Sequence, residues 1–488
     1  MRLSRLLDPE VSVQGWRAEA VEITGLTADS RLVRPGMLFA ALVGSRADGR
    51  RFVQDALARG AVALLGDPSL AKAAPGVPLV ADPEPRHRLA LMAARFYARQ
   101  PECIAAVTGT NGKTSVASFT RQLWARLGHP AAALGTLGLE TTEGRRDTGL
   151  TTLDPVRLHA LLAEIADAGV EHLVLEASSH GLDQHRLDGL RLRAAAFTNL
   201  SRDHFDYHGS FADYLAAKRR LFSELLPPGG IAVLNADQPD YEALAAVCRA
   251  REIAVLDYGR SADRLRLLEQ TPRVDGQSLA FALDGQEHRV TSGLVGGFQA
   301  WNLLAALGLV VACGGDARAA IAALDGLTGA PGRLERVGTH PTGAPVFVDY
   351  AHTPDALEQV LRALRPHVDR RLDVLFGCGG DRDPGKRPEM GRIAAAGADL
   401  VYVTDDNPRS EDPAQIRAAI LAACPGAVEI GDRGAAIRAA LGSLGAGDLL
   451  VIAGKGHETG QIVGDRVLPF DDAAEVRAAL GALREVPA

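Results

Sequence analysis

Apolar residues along this chain gather into short uninterrupted runs, each followed by a cluster of glycine and polar residues and then by a stretch of helical periodicity. Ile104 to Val107, His172 to Leu175, Ala194 to Thr198 and Ile231 to Leu234 read as buried strands. Runs without polar alternation suit a parallel sheet covered on both faces. From Pro331 the alternation restarts, with strands predicted at Val346 to Val348, Val374 to Phe376, Leu400 to Thr404 and Leu449 to Ala453. Between them lie helices at Pro354 to Leu364, Arg387 to Ala396, Pro413 to Ala423 and Ala435 to Leu441, which makes a Rossmann-like α/β unit. The first hundred residues differ: short strands and polar turns around Thr27 to Gly44, a helical Phe52 to Arg59, and a Pro-rich bridge at Ala81 to Pro85 before a helix to Arg99. The pattern predicts an α/β protein of three domains: a small N-terminal α/β module at 1–100, a central parallel-sheet domain at 101–330 and a C-terminal Rossmann-like domain at 331–488.

Length agrees, since 488 residues exceed what one hydrophobic core accommodates. The formal charge of -7 is spread over both signs, which argues against a nucleic-acid groove or a membrane-surface patch and leaves small molecules as the expected partners. The five cysteines are far apart in sequence and form no Cys-x-x-Cys pair, so neither a disulfide framework nor a zinc site is indicated. Met1 to Asp8 meets an acidic residue too early for a signal peptide, and a cytoplasmic monomer is expected. Val290 to Gly315 carries no charge, but Gly296, Gly297, Gln299 and Asn302 interrupt it, so a buried helix from about Ala300 to Val311 is expected and not a membrane span.

Candidate chemistry begins at Gly109-Thr-Asn-Gly-Lys-Thr-Ser115, directly after the Ile104 to Val107 strand. Gly109 and Gly112 let the backbone turn its N–H groups one way, and Lys113 opens a helix to about Leu127, so a polyphosphate would sit at that helix N-terminus. The full pattern G-x-x-x-x-G-K-[ST] is not met, because Val107 stands at its first glycine. A Gly-rich turn before an ordinary helix also accounts for the motif alone, but Lys113 and Thr114 stand where a γ-phosphate and a Mg²⁺ ion need them. Further on, Glu176 follows an apolar strand, where its carboxylate can reach such an ion or merely cap a helix. Thr198 to His208 gathers two histidines and two acids at another strand end. Lys218, in a helical Tyr214 to Phe222, reads by itself as a solvated surface lysine.

Taken together, Gly109 to Ser115, Glu176-Ala-Ser-Ser-His-Gly181, Asn199-Leu-Ser-Arg-Asp-His204, Asp349-Tyr-Ala-His-Thr-Pro354, Gly380-Asp-Arg-Asp383 and Asp406-Asn-Pro-Arg409 resemble the Mur ligases. Within that family they are most similar to the MurE branch, which adds the third residue to UDP-N-acetylmuramoyl-L-Ala-D-Glu. The resemblance covers nearly the whole chain in the same order. It implies ATP-driven amide formation through an acyl phosphate, in peptidoglycan precursor synthesis. It also implies a UDP-sugar-binding first domain, a P-loop-type ATPase centre and an amino-acid-binding third domain. Gly109, Thr110, Asn111, Gly112, Lys113, Thr114 and Ser115 would hold the ATP phosphates, with Asn302, Arg333 and Asp349 around the adenosine. Thr114, Glu176 and His204 would serve Mg²⁺, as would Lys218 once CO₂ has turned it into a carbamate. Ser30, Ser45, Arg46, Ala47, Thr151, Thr152, Ser178, Gln184 and Arg186 match the positions that bind the nucleotide-sugar peptide. Two departures stand out: Leu150, where some relatives carry asparagine, and Gln299, in the usual Phe-Asn pair.

For the incoming amino acid, the resemblance names Arg382, Asp406, Asn407, Pro408, Arg409, Gly454 and Glu458. Arg409 carries the choice: a guanidinium grips a carboxylate with two parallel bonds, which fits meso-diaminopimelate and not lysine. A plain turn at Asn407-Pro408 and a solvated loop from Gly454 to Glu458 are the alternatives for these residues taken alone.

Overall fold

In a computed structural model of the chain, all residues are described except 10, 12, 15, 45, 46, 73, 75, 202–206, 274 and 486–488, together with the side chains of 484 and 485. They form two compact units, Met1–Ala262 with Ala305–Ala320, and Asp263–Leu304 with Ile321–Ala488.

The first unit holds two sheets. Parallel strands Gly25–Thr27, Met37–Ala40, Ala63–Gly66 and Leu79–Ala81 lie side by side in that order, with Val13–Gln14 antiparallel at the edge. Leu38, Ala40 and Leu65 face one apolar cluster with Leu89 and Met92, while Phe39 and Leu64 face another with Val53 and Ala56. That alternation is the pleat of a sheet covered on both sides. The second sheet has six parallel strands in the order Ala131–Gly135, His172–Glu176, Cys103–Thr108, Leu192–Phe197, Ile231–Asn235 and Ala254–Gly259. All six residues of Cys103–Thr108 are buried, as its uninterrupted apolar run requires. An antiparallel pair, Gly138–Glu140 and Arg145–Arg146, extends the edge, so the sheet is not purely parallel as predicted.

The second unit begins with an antiparallel meander, Leu265–Arg273, Gly276–Leu283 and Gln286–Ser292, that was not predicted. Its exposed face carries Arg266, Glu269, Glu287 and Arg289, which dilute the apolar signal. A local signal was present nonetheless: Asp284 and Gly285, both with positive φ (48° and 84°), form the Asp-Gly turn that matches hairpin twist. The uncharged stretch from Val290 is thereby split between a strand and the helix Gln299–Ala312, and no helix among the described residues is long and apolar enough to cross a membrane.

The C-terminal sheet runs Glu335–Thr339, Pro345–Asp349, Leu449–Ala453, Leu372–Phe376, Leu400–Val403 and Val428–Glu429, parallel except for its first strand. Leu400–Val403 stops one residue short of the prediction, although the Thr404 amide still donates to the Phe376 carbonyl at 3.0 Å. Phe347, Val374 and Val451 pack on one face, and Val346, Leu375 and Ile452 on the other. Beneath the sheet's carboxyl edge, Arg433 and Asp472 are both fully buried and joined by two bonds of 2.7 and 2.8 Å, with Arg433 also donating to the Ala453 carbonyl at 3.0 Å. Removing one partner strands a charge in the interior. Asp472→Ala is expected to destabilise this unit by about 3–5 kcal/mol, read as an earlier denaturant transition.

The cysteines far apart in sequence are all free thiols, though Cys103 and Cys313 meet and share a hydrogen bond.

Candidate active site

The strand Cys103–Thr108 ends in a loop whose shape is dictated by its neighbour. Gly109 has φ +145°, and a Cβ there would come within 1.9 Å of the Thr198 hydroxyl and 3.1 Å of the Asn199 amide. Gly112, at φ +86°, starts the helix Lys113–Arg126. Residues just past the adjacent strand clamp the loop between them: Thr198 Oγ1 donates to the Asn111 carbonyl at 2.6 Å, and Asn199 Oδ1 accepts from the Asn111 amide at 2.9 Å. The Asn199 carbonyl accepts from the Thr110 amide at 2.9 Å. Thr110 Oγ1 lies 3.2 Å from the Tyr214 hydroxyl, and Lys113 Nζ reaches back to the Gly109 and Thr110 carbonyls at 2.9 and 2.8 Å. The result is a held loop at a helix N-terminus with a lysine ammonium over it, the arrangement that suits phosphate.

Parallel register puts Glu176 opposite Val107, beside this loop. It is the last residue of its strand and only 3% exposed. Its carboxylate accepts from Thr114 Oγ1 (3.1 Å), the Thr136 amide (2.9 Å) and Thr136 Oγ1 (3.1 Å). Position 135 must be glycine, since a Cβ would lie 2.2 Å from Glu176 Oε1. Lys218 overturns the reading its helical pattern suggests. It is 1% exposed, donates to the Gly109 carbonyl at 2.7 Å, and sits 4.3 Å from the Tyr214 ring centroid. Thr114 and Glu176 put oxygen donors beside one phosphate loop, the kind of group a hard cation such as Mg²⁺ takes. His204 lies outside the described residues.

Next to Glu176 stand five of the residues assigned to the sugar peptide. Thr151 Oγ1 is 3.2 Å from Thr136 Oγ1, Thr152 Oγ1 donates to the Glu176 carbonyl (3.0 Å), and Ser178 Oγ is 2.9 Å from Thr152 Oγ1. Arg186 donates to the Thr152 carbonyl at 2.7 Å and to Gln184 Oε1 at 2.7 Å, while Gln184 Nε2 donates to Tyr207 at 3.0 Å. Burial lowers the pKa of Arg186, so an anionic partner there would relieve an unfavourable charge. Ser30 opens the short helical turn Ser30–Leu32 after the strand Gly25–Thr27, with its hydroxyl bonded to Asp55, and Ala47 is exposed in a loop after Met37–Ala40. Ser45 and Arg46 lie outside the described residues, and Leu150 is exposed.

In the second unit, the polar residues cluster at the carboxyl edge of the C-terminal sheet. Asp349 accepts from the Leu334 and Ala351 amides at 2.7 and 2.8 Å, and burial pushes its carboxyl up against the pull of Arg333. The Arg333 guanidinium lies 4.6 Å from the Tyr350 ring centroid, and its buried Nε has no partner among the described residues. Asn302 Nδ2 donates to Gln299 Oε1 at 3.0 Å, so the departing residue Gln299 serves as a buried partner of Asn302.

Arg409 occupies the left-handed region at φ +53°. It is pinned there by its amide to the Ile462 carbonyl (3.0 Å) and by its own carbonyl to the Gly464 amide (2.7 Å). Nη1 donates to the Gly380 carbonyl at 2.8 Å, and Nη2 has no protein partner among the described residues. Glu458 Oε2 accepts from Asn407 Nδ2 (2.9 Å) and from the fully buried Lys455 (3.2 Å). Pro408 is buried beside them, and a Cβ on Gly454 would come 2.7 Å from Asp406 Oδ2. Arg382 is exposed on the neighbouring loop.

Profiles of known families cover most of the chain: "Mur ligase family, catalytic domain" matches residues 22–97, "Mur ligase middle domain" 107–310 and "Mur ligase, glutamate ligase domain" 332–456. A UDP-N-acetylmuramoyl-L-alanyl-D-glutamate--2,6-diaminopimelate ligase of Bradyrhizobium diazoefficiens is 55% identical over 98% of this chain and 99% of its own. The chain belongs to the Mur ligase family. It has that family's three-domain architecture, and the Mur ligases are ATP-dependent enzymes. A solved structure of a 2,6-diaminopimelate ligase of the same description aligns over 100% of both chains with TM-score 0.76 and 35% identity. Folylpolyglutamate synthase of Mycobacterium tuberculosis, complexed with ADP and AMPPCP, shares the fold at TM-score 0.62 and 22% identity, covering 82% of this chain and 95% of its own.

Several residues that shape this Mur ligase site had no assigned role in the sequence reading: Thr136, Thr198, Tyr214 and Lys455. Each acts across long sequence separation. Lys455 alone had a local signal, its place between two glycines in Gly454-Lys-Gly456.

Proposed function

We propose that this Mur ligase adds meso-diaminopimelate to UDP-N-acetylmuramoyl-L-Ala-D-Glu at the expense of ATP, in the cytoplasm. The D-Glu carboxylate attacks the γ-phosphorus and ADP leaves; the amine then attacks the acyl carbon, loses a proton, and inorganic phosphate departs. Loop amides of Gly109 to Ser115 and Lys113 hold the phosphates and take up the charge that spreads over the transferring group. Asn302, Arg333 and Asp349 are the proposed contacts of the adenosine. Thr114, Glu176, His204 and a carbamate on Lys218 would hold Mg²⁺, which would further neutralise phosphate charge. Ser30, Ser45, Arg46, Ala47, Thr151, Thr152, Ser178, Gln184 and Arg186 bind the nucleotide-sugar peptide, so the domains 1–100, 101–330 and 331–488 take the UDP-sugar, ATP and amino acid respectively. Holding two substrates together removes the entropic cost of their encounter.

The observation that carries the amino-acid assignment is the strained, twice-pinned Arg409 with an open guanidinium edge. Backbone strain persists where the surroundings over-determine it, commonly at ligand-binding positions. Arg382 and Glu458 complete the pocket. The test is a panel of amino acids assayed for phosphate release with and without the muramyl dipeptide. Release that requires both that substrate and diaminopimelate is expected; release independent of either points to a nucleotide switch instead.

Lys218→Ala removes a buried cationic side chain whose carbamate would be an oxygen ligand. Activity is expected to vanish and to return in part when a small carboxylic acid is added, measured as phosphate release. An active preparation at neutral pH with an unmodified amine in clear density would count against the carbamate.

A further inference from the structure

Asp188 lies outside the reacting groups, yet it is 1% exposed and receives four bonds. His87 Nδ1 lies 2.5 Å and His185 Nδ1 2.9 Å from its Oδ2, and Arg220 contacts Oδ1 through Nη1 (2.8 Å) and Oδ2 through Nη2 (2.6 Å). Burial alone would push the carboxyl up, but the bonds from His185, His87 and Arg220 outweigh it and hold the group well below the usual carboxylate range. Asp188 is therefore an acceptor only, and each imidazole presents Nδ1–H to it.

The donors come from three segments. His87 lies on the helix Pro85–Tyr97, whose Leu89 and Met92 pack into the N-terminal module's core. His185, at φ +56°, sits between Gln184 and Arg186. Arg220 is two residues beyond Lys218 on the helix Phe211–Arg220. The backbone around Asp188 is fixed as well: its carbonyl is 3.0 Å from His159 Nε2, and the Gly189 carbonyl accepts from Gln100 Nε2 at 2.9 Å. A Cβ on Gly189 would lie 2.6 Å from the Ala94 methyl. On the open side lies a cavity of about 600 Å³ lined by His87, His185 and Arg220 together with Glu84, Asp183, Asp213, Glu224, Ala216 and Ala217, and the two imidazole rings meet edge to face with centroids 5.5 Å apart. Arg220 is held as well by the Leu182 carbonyl (2.8 Å) and Glu224 (2.6 Å), and the buried carboxylate is the one group that joins it to both imidazoles.

We infer that Asp188 is a positioning residue for the sugar-peptide substrate: one carboxylate sets the N-terminal module and the Gln184-to-Arg186 segment in register with the helix that carries Lys218. This rests on the functional reading above. A misplacement of about 1 Å by a residue remote from the chemistry can cost roughly 10²-fold in rate.

The test uses the full-length enzyme and the KM of each substrate in turn. Asp188→Asn keeps the shape but loses the charge, and is expected to raise the KM for the muramyl dipeptide substrate by roughly 10-fold or more. The KM values for ATP and diaminopimelate should stay near those of the wild type. If Asp188→Asn does not fold, His87→Ala replaces a part-exposed helical residue and should move the same constant in the same direction by a smaller factor. Folded variants with an unchanged KM for the muramyl substrate, or an equal rise for all three substrates, would overturn the assignment. A wild type that does not consume the muramyl substrate would overturn the functional reading itself, which is a separate outcome.

Discussion

Lys113→Ala is expected to abolish phosphate release while the protein stays folded. The side chain is part-buried and donates to the Gly109 and Thr110 carbonyls of its own loop, and alanine has the highest intrinsic helix propensity, so the helix that follows can still form. The loop is also held from outside, by Thr198 and Asn199, which remain in the variant. What the substitution removes is the positive charge proposed to hold phosphate. Loss of one preorganised group that stabilises developing charge costs roughly 10²–10³ in kcat, and here the charge being stabilised is larger than that of a single oxyanion. Unchanged thermal unfolding together with lost turnover is the predicted pair of results. Near-normal phosphate release by the folded variant would remove Gly109 to Ser115 from the catalytic centre.

Arg409→Ala is expected to raise the KM for diaminopimelate steeply while the KM for ATP hardly changes. If the guanidinium grips the amino acid's distal carboxylate, its loss leaves that carboxylate desolvated and unpaired, which typically costs about 2–5 kcal/mol. The wild type should reject L-lysine, because lysine leaves Arg409 without its partner; sites built for a polar group discriminate by as much as roughly 10⁴–10⁵ against an analogue lacking it. The variant should reject lysine less in relative terms, though Arg382 and Glu458 still shape the pocket. Efficient lysine addition by the wild type, or unaltered diaminopimelate kinetics in the variant, would reduce Asp406 to Arg409 to a structural turn.

Much of the fold was legible because buried parallel strands write themselves as unbroken apolar runs. Ile104 to Val107 appears within Cys103–Thr108, and Leu449 to Ala453 is reproduced without change. The meander from Leu265 to Ser292 was not, since strands exposed on one face and rich in charge resemble a polar linker. Lys218 shows the same limit at a single residue. Its neighbours Arg219 and Arg220 suggest a solvated face, but the side chain is buried against Tyr214 and the Gly109 carbonyl, more than a hundred residues away in the chain.

From the sequence by itself follow the order of strands and helices, the glycines that shape a phosphate loop, and the residue types at each strand end, because these depend on local backbone preference and local burial. Only the tertiary structure decided which strand ends are neighbours. Parallel pairing of Cys103–Thr108 with His172–Glu176 on one side and Leu192–Phe197 on the other brings Glu176, Thr198 and Asn199 to Gly109, and the packing of one helix across that edge delivers Lys218. Strand order and the facing side of a helix are set by contacts distant in sequence. No local pattern encodes them, which is also why Asp188 and its four donors came to light only in three dimensions.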